Sequence, residues 1–382
     1  MKKQQIAIFA FIFQKPFGSE VYAARLMNEL FARGHAVDFL FRRGHEDMLA
    51  RLDKGIRLWD MKEAGVWAVL KFLVRYLKQE KPAVLLGVME KPSLLALMAG
   101  CFCGYKNIIP TVHFDIDAHA SSEFAFRRKI LRRLIGFFYR LAPVVVTVSQ
   151  ETARVLRPWV GTKVPLVPIY NGFDLKAMRA RAQEPTGNPA FEVWAQEHAA
   201  WPIIIGCGRL VPDKGFDALI RAFALLRARR QARLVIVGDG PDQVRLEKLI
   251  RSEGIEKDVM LTGFSENPLA YFSKSTLLAH SSLSEGFCSV LIESMAVGTP
   301  VVATDAPGGT KEMLREGLYG TLVPPNDDEA LARALESVLK NPPEPSRLAL
   351  IQAYLDQNYD LPHMGAAYEK VIEAVKKANP IA

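Results

Sequence analysis

Residues 276–304, TLLAHSSLSEGFCSVLIESMAVGTPVVAT, give the clearest indication of the fold. An apolar run leads into a polar loop, and Ser289 is a favourable N-cap for the short helix that follows. Gly298 is suited to end that helix, and Pro300 opens a second apolar run. The stretch therefore predicts a strand, a helix and a second strand, the repeating unit of a parallel sheet.

The same alternation extends through most of the chain. Apolar runs in the first half predict strands at 6–13, 36–41, 83–89, 107–112, 144–148 and 166–169. Runs in the second half predict strands at 203–207, 234–237, 259–262, 276–280, 300–304 and 320–323. Amphipathic stretches between such strands are typical of parallel sheets covered by helices. Because 382 residues are too many for one ordinary core, we predict two doubly wound, Rossmann-like α/β domains.

A break in this alternation suggests the domain boundaries. Residues 181–200 include two prolines and a glycine and are interpreted as a linker. They separate an N-terminal domain at 1–180 from a C-terminal domain at 201–358, and a last helix is expected within 359–382.

The composition narrows the class of protein. Hydrophobic residues make up 49% and charged residues 24% of the chain, which excludes wholesale disorder. None of the four cysteines has a zinc-type CxxC partner, and this favours a reducing compartment.

Lys2 and Lys3 before an apolar run resemble a signal peptide, but the run is short and lacks a small-residue cleavage site. A buried first strand is predicted instead, and no run reaches the ~20 apolar residues of a spanning helix.

Charge is distributed unevenly. Residues 1–180 contain 28 Lys and Arg against 15 Asp and Glu, a net charge of +13, whereas 181–382 contain 21 against 26, a net charge of −5. Residues 124–142, FAFRRKILRRLIGFFYRLA, predict an amphipathic helix whose apolar face would cover the sheet. Its basic face includes Arg128, Lys129, Arg132 and Arg133. Basic helix faces are often merely solvated, but because the whole domain is basic, we favour an anionic membrane surface as the partner of this face. No sequence motif supports binding to nucleic acid.

Ligands of doubly wound sheets bind beyond the carboxyl ends of the strands, and the loop within 203–215, IIIGCGRLVPDKG, is one such place. Its glycines permit a close backbone approach, and Arg209 and Lys214 place two cations beside a helix start. This combination suits a pyrophosphate, although a capped turn with solvated cations explains the same residues. The nicotinamide fingerprint GxGxxG is absent.

The loop before the short helix places one glutamate on either side of unpaired helix donors. Glu285 lies in the loop and Glu293 in the first turns of the helix, while the N–H groups near Val290–Ile292 lack partners within the helix. A phosphate can bind those donors, with the carboxylates accepting hydrogen bonds from sugar hydroxyls.

These motifs together resemble glycosyltransferase family 4. The shared pattern is G-x-G-R-L-x-x-x-K-G, then G-D-G-P, then S-x-x-E-G-F-x-x-V-x-x-E-x-M-A-x-G-T-P-V-V and finally G-G-x-x-E. Members of this family are retaining, metal-independent enzymes of the GT-B fold, in which two Rossmann-like domains face each other across a cleft and the last helix crosses back to the first domain.

The resemblance implies roles for particular residues. Glu293 would bind the ribose of the nucleotide, and Glu285 would contact a hydroxyl of the donor sugar. Arg209 and Lys214 would neutralise the leaving diphosphate, so no metal and no other cofactor is expected. The catalytic residues implied are His113, Glu285, Arg209 and Lys214. The donor-binding residues implied are Gly18, Gly208, Arg209, Lys214, Gly263, Phe264, Glu285, Gly286, Phe287, Val290, Leu291, Glu293 and Gly309.

The function implied is sugar transfer with retention, in which the departing phosphate itself takes the proton of the acceptor hydroxyl. A UDP-sugar is favoured over GDP-mannose, and the acceptor is expected to be lipid-linked or of the lipopolysaccharide or polysaccharide type, at the cytoplasmic face of the cell membrane. A nucleotide-sugar epimerase and a non-catalytic membrane-associated subunit are the alternatives. Asp115-Ile-Asp117 resembles a metal-binding motif of another fold, but it lies in the first domain, away from the phosphate-binding residues.

Overall fold

A computed structural model describes residues 3–14, 18–62, 64–113 and 125–380, with only the backbone for 125–128. The chain divides into two compact units, one formed by Met1–Phe173 with Tyr359–Ala382 and the other by Asp174–Asn358. Each unit contains one parallel sheet with helices packed on it. The predicted α/β fold of two Rossmann-like domains is therefore confirmed.

The first unit is built on a seven-stranded sheet of order β3-β2-β1-β4-β5-β6-β7. Its strands are β1 (Gln5–Phe13), β2 (Ala36–Gly44), β3 (Arg57–Asp60), β4 (Val84–Val88), β5 (Ile108–Val112), β6 (Val145–Thr147) and β7 (Leu166–Pro168). Its first helices are α1 (Gly18–Ala32), α2 (Glu46–Leu49), α3 (Val66–Glu80), α4 (Glu90–Cys103), α5 (Ala125–Phe138) and α6 (Gln150–Val160). The unit is completed by the last helix, which begins at Leu361.

Strand β1 shows why the N-terminal apolar run forms a central strand. Ile6 and Ile8 belong to the core on one face of the sheet, whereas Ala7 and Phe9 belong to the core on the other. A strand that is buried on both faces needs continuous apolar residues, because successive side chains point in opposite directions.

The second unit has a six-stranded sheet of order β10-β9-β8-β11-β12-β13. Its strands are β8 (Ile203–Cys207), β9 (Arg233–Val237), β10 (Val259–Gly263), β11 (Leu277–His280), β12 (Val301–Thr304) and β13 (Thr321–Val323). Its helices are α7 (Leu175–Arg181), α8 (Pro189–Glu197), α9 (Phe216–Arg227), α10 (Gln243–Ser252), α11 (Leu269–Ser273), α12 (Ser289–Ala296), α13 (Thr310–Met313), α14 (Asp328–Lys340) and α15 (Pro345–Asn358).

The structure differs from the sequence interpretation around the junction of the units. The boundary falls between Phe173 and Asp174 rather than after residue 180. Helix α8 occupies part of the stretch interpreted as a linker, with Asn188 as its N-cap. Phe191 anchors this helix, because its side chain is fully buried against the ring of Tyr271 at 4.7 Å.

The last helix, α16 (Leu361–Ala378), belongs to the first unit and packs on α1. Glu369 accepts hydrogen bonds from Arg33 at 2.6 Å and pairs with His35 at 2.9 Å, and the hydroxyls of Tyr22 and Tyr368 meet within the same interface. Across the described ranges, no helix combines the length and apolar character that crossing a bilayer requires.

Candidate functional site

Three glycines at the ends of neighbouring strands, Gly208, Gly238 and Gly263, meet at the carboxyl edge of the second sheet. The N–H of Gly208 donates to Val237 O at 3.0 Å, and the N–H of Gly238 donates to Gly263 O at 2.8 Å. Gly238 has a φ of +144°, and a Cβ placed on it would lie 1.9 Å from the carbonyl oxygen of Gly208. A side chain is excluded at this position, so the loops after β8, β9 and β10 pack through their backbones.

Lys214 and Glu285, which are 71 residues apart, form an ion pair at this edge. Lys214 Nζ lies 2.5 Å from Glu285 Oε1, and His280 Nε2 lies 3.2 Å from the same oxygen. Burial alone would raise the pKa of the Glu285 carboxyl, but the Lys214 ammonium and the hydrogen bond from His280 lower it well below its ordinary range. Glu285 is therefore ionised at neutral pH and can accept hydrogen bonds, but it cannot act as a proton donor.

The polar loop after β11 is fastened to the turn that presents Lys214. The hydroxyl of Ser281 donates to Lys214 O at 2.9 Å, and that of Ser282 donates to Asp213 O at 3.0 Å. Gly215 follows with a φ of +60°, and a Cβ on it would lie 2.1 Å from Ser281 O. These bonds fix the position of the ammonium group relative to the carboxylate.

Helix α12 begins differently from the prediction. Ser289 is its first residue rather than its N-cap, and Cys288 precedes it in the left-handed conformation with a φ of +58°. The N–H of Leu291 donates to Cys288 O at 3.2 Å, so one of the donors expected to be unpaired has a partner. Glu293 is half-buried in this helix. Burial and the charge of Glu293 both raise the pKa of Cys207, which places this carboxylate near the end of β8.

A glycine pair after β12 closes onto the loop that contains Glu285. Gly308 has a φ of +113°, and a Cβ on it would lie 1.6 Å from Glu285 O. A Cβ on Gly309 would lie 3.0 Å from Gly286 O. Phe287 is 5% exposed, and Val290 and Leu291 follow in the first turn of α12. The predicted residues of this loop are thus brought together.

Two predicted donor-binding side chains remain accessible at the rim. Phe264 directly follows β10, and its side chain is 53% exposed. Arg209 directly follows Gly208 and is also exposed. An exposed aromatic ring at the strand edge offers a face on which a nucleobase can stack, and the arginine offers a planar charge for a phosphate.

Metal-ligating atoms also occur here. Among the described residues, His280, Glu285 and Cys288 place potential ligand atoms within 4.8 Å of one another. The Cys288 thiol lies 3.1 Å from His280 Nε2, and burial raises the thiol pKa well above its ordinary value. The Lys214 ammonium already neutralises Glu285, so this set fits an internal hydrogen-bond network better than a cation site.

In the first unit, His113 directly follows β5. Its Nε2 lies 2.7 Å from Thr111 Oγ1, and that hydroxyl donates its proton to Gly87 O at 2.9 Å. Nε2 must therefore carry the imidazole proton, which leaves the lone pair on Nδ1. The ring packs against Tyr22 at 4.5 Å, and burial lowers the His113 pKa to about 3, so the imidazole is neutral at physiological pH.

Glu90, which the sequence analysis did not single out, lies beside His113. Its carboxyl accepts hydrogen bonds from the N–H groups of Glu90 itself and of His113. The side chain is buried, Oε1 has no hydrogen-bond partner among the described residues, and burial raises the pKa to about 8. An acidic residue directly after an apolar strand run, as in Val88-Met89-Glu90, is the signal that indicates such a site.

The remaining predicted residues of the first unit are placed as follows. Gly18 begins the described part of α1, and nothing lies within 4 Å of a Cβ placed on it. Lys129 and Arg133 are exposed on α5, but Arg132 stacks on the Trp159 ring at 4.8 Å. The side chain of Arg128 and the whole of Asp115-Ile-Asp117 lie outside the described residues.

The apolar side of α5 differs from the expectation. From Lys129 onward, where the side chains are described, Ile135 is the one residue of this helix fully buried in the core, whereas Ile130, Leu134 and Phe137 are 42%, 38% and 63% exposed. The helix therefore presents apolar and basic side chains to solvent together.

Two family models match the chain. Residues 17–177 match the family model described as Glycosyltransferase Family 4, and residues 195–353 match the one described as Glycosyl transferases group 1. An N-acetylgalactosaminyltransferase of Campylobacter jejuni that acts on a diphospho-undecaprenol-linked sugar is 29% identical over 283 residues, 72% of this chain and 74% of that protein.

Two further similarities extend over more of the chain. The lipopolysaccharide core biosynthesis glycosyltransferase LpsD of Rhizobium meliloti is 26% identical over 334 residues, 87% of this chain and 88% of that protein. The structure of HepE from Anabaena in complex with UDP-glucose has a TM-score of 0.77 at 20% identity, covering 97% of this chain and 100% of that one. At such identity the structural likeness concerns the fold.

Proposed function

Since the chain is a glycosyltransferase of family 4 with the GT-B fold, we propose that it transfers a sugar from a nucleotide diphosphate sugar, with retention of configuration. Its relatives are glycosyltransferases of lipopolysaccharide and polysaccharide biosynthesis. We propose an acceptor of the same kind, a lipid-linked or growing envelope glycan. The presence of UDP-glucose in HepE favours a UDP-sugar as the donor.

The observation on which this proposal chiefly rests is the Lys214–Glu285 ion pair at the strand edge. A leaving diphosphate gains negative charge as the glycosidic bond breaks, and cations fixed in advance stabilise that charge without reorganising. Lys214 is held in place by the polar loop, and Arg209 lies five residues before it on the same turn. These two cations would act in place of a metal.

The glutamates would bind hydroxyls rather than transfer protons. Glu285 is ionised and already paired with Lys214, so its remaining lone pairs suit a hydroxyl of the donor sugar. Glu293, one turn into α12, would accept hydrogen bonds from the ribose. The proton of the acceptor hydroxyl would then pass to the departing phosphate, on the same face of the sugar.

The first unit would supply neutral polar groups. His113 presents the Nδ1 lone pair as an acceptor, and the Glu90 carboxyl, protonated at neutral pH, is a donor. A neutral acceptor and a neutral donor side by side suit a hydroxyl-rich substrate, because each can pair with a sugar hydroxyl.

We also propose that α5 binds an anionic membrane surface. Exposed Ile130 and Phe137 would enter the headgroup boundary, while Lys129 and Arg133 would contact anionic lipids. Each cation near such a surface contributes about 1 kcal/mol. This arrangement would bring a lipid-linked acceptor to the enzyme.

Vesicle flotation tests the membrane proposal. With phosphatidylglycerol vesicles, Lys129→Gln/Arg133→Gln should bind roughly thirtyfold more weakly than the wild type. The control Lys248→Gln/Arg251→Gln removes the same charge from the second unit and should bind normally. Equal binding of both double variants, or binding that does not weaken with salt, would contradict the proposal.

A thermal-shift panel of UDP- and GDP-sugars tests donor use. A donor at a hundredfold its dissociation constant stabilises a protein by about 2.7 kcal/mol, so one nucleotide series should raise the melting temperature clearly. Arg209→Ala should reduce that shift, and Lys248→Ala, a matched exposed cation, should not. Release of epimerised nucleotide sugar without any acceptor would favour an epimerase instead.

A further inference from the structure

A separate cavity of about 670 Å³ lies in the second unit at the amino ends of β9 and β10. Its principal lining side chains are Trp194, His198, Trp201, Arg227 and Arg233. The candidate donor site lies at the opposite ends of the same strands. At about 3.3 Å per residue, a five-residue strand separates the two places by roughly 15 Å.

Arg233 is the unusual residue of this cavity. It is the first residue of β9 and is only 2% exposed, although arginine is rarely buried without full pairing. Its Nη2 donates to Glu197 Oε2 at 3.0 Å, but Nε and Nη1 are buried and lack hydrogen-bond partners among the described residues. Buried donors without acceptors destabilise a fold, so an acceptor that enters the cavity would be bound favourably.

Aromatic rings form the walls beside this guanidinium. The Trp194 ring lies 4.2 Å from Arg233 Cζ, and its indole N–H is held by Lys257 O at 3.2 Å. His198 and Trp201 stack face to face at 4.1 Å. Flat apolar faces next to hydrogen-bond donors are typical of sites that bind ring-shaped polar ligands.

The other charged side chains at the cavity leave Nε and Nη1 of Arg233 without hydrogen-bond acceptors among the described residues. Asp258 is occupied by Arg227 at 2.8 Å. Glu197, the one carboxylate paired with Arg233 among the described residues, has a side chain that is 55% exposed, so it can move aside into solvent. Nε and Nη2 point to the same side of the guanidinium, so once Glu197 moves aside they offer the two parallel donors that match a carboxylate or a phosphate.

We propose that this cavity binds the carboxylate or phosphate group of an anionic sugar. Arg233 holds the oxyanion through Nε and Nη2, in the place of the Glu197 carboxylate, and Trp194 and Trp201 line the space for the sugar ring. The site is independent of the donor site and of the transfer reaction.

The test compares glucuronate and glucose 1-phosphate with neutral glucose, at constant ionic strength, by tryptophan fluorescence and thermal shift. Binding of either anion, with no response to glucose at the same millimolar concentration, is expected. A response to glucuronate alone identifies a carboxylate ligand, and a response to glucose 1-phosphate alone identifies a phosphate ligand; both support the site.

Two variants of opposite expected effect complete the test. Arg233→Lys keeps the charge but loses the planar fork, and should weaken binding roughly tenfold to hundredfold. Glu197→Gln removes the competing carboxylate and should tighten binding, which keeps the proposal testable even if Arg233→Lys fails to fold. No response to either anion, an equal response to glucose, or unchanged affinity in Glu197→Gln would overturn the proposal.

Discussion

Replacing Glu90 by glutamine should make the protein more stable at neutral pH, although it removes a buried carboxyl. The native pKa of this group is about 8 against 4.5 for the ordinary side chain. Between these values the unfolded chain releases the proton while the native chain retains it. Since the native state binds more protons, the free energy of unfolding falls as pH rises through this window.

The size of the effect follows from the two pKa values. One pKa unit corresponds to about 1.4 kcal/mol, so Glu90 destabilises the native state by about 1 kcal/mol at pH 5 and about 3 kcal/mol at pH 7. Glutamine is of the same shape, still accepts from the N–H of His113 and does not titrate. The stability of Glu90→Gln relative to the wild type should therefore increase by about 2 kcal/mol from pH 5 to pH 7.

The neighbouring histidine does not hide this trend. Its native pKa is about 3, below the ordinary 6.5, so the unfolded chain binds more protons in that window and His113 contributes stability that rises with pH. This contribution is present in both proteins and cancels from their difference. Urea unfolding followed by circular dichroism at several pH values measures that difference, with Glu253→Gln as an exposed control. A difference that is constant with pH, or that favours the wild type at pH 7, would contradict a raised native pKa for Glu90.

Three further outcomes are expected in the second unit. Lys214→Met leaves Glu285 buried without its cation and should cost about 3–5 kcal/mol of stability at pH 7. The depressed pKa of Glu285 stabilises the native wild type fully above the ordinary pKa of a glutamate and progressively less below it. The loss measured by urea unfolding should therefore shrink as the pH falls towards 4. Glu293→Ala should weaken UDP binding in calorimetry, whereas Glu285→Ala should mainly lower the transfer rate; the reverse pattern would contradict the assigned roles. Phe264→Ala removes the exposed stacking face and should raise the dissociation constant of UDP roughly tenfold or more, since base stacking contributes about 1–3 kcal/mol, while an unchanged constant would place the base elsewhere.

The sheets could be predicted because buried parallel strands leave a local signature. Val84–Val88 is buried at every position, and such a strand reads as an uninterrupted apolar run. The edge strand Arg57–Asp60 has no such run, because three of its four side chains are exposed, and it was missed. Helix α8 was read as a linker, since the prolines and the glycine before Phe191 obscured its apolar face.

The candidate site was predictable only where a motif is recognisable. Lys214 and Glu285 were proposed together through the family resemblance, and nothing in their separation of 71 residues predicts a 2.5 Å contact. Glu90 and Arg233 were missed, because their properties arise from burial by elements distant in sequence rather than from neighbours in the chain. The apolar face of α5, which includes Phe137, was expected to cover the sheet, yet helical periodicity cannot show which apolar side chains the core has room for.

We propose above all that the carboxyl edge of the second sheet binds a nucleotide diphosphate sugar without a metal. Calorimetric titration of the purified protein with UDP-sugars in the presence of a metal chelator tests it most directly. Saturable one-to-one binding is expected, weakened in Glu293→Ala and unchanged in Lys248→Ala. Absence of binding by UDP- and GDP-sugars at millimolar concentration, or equal binding by both variants, would contradict it.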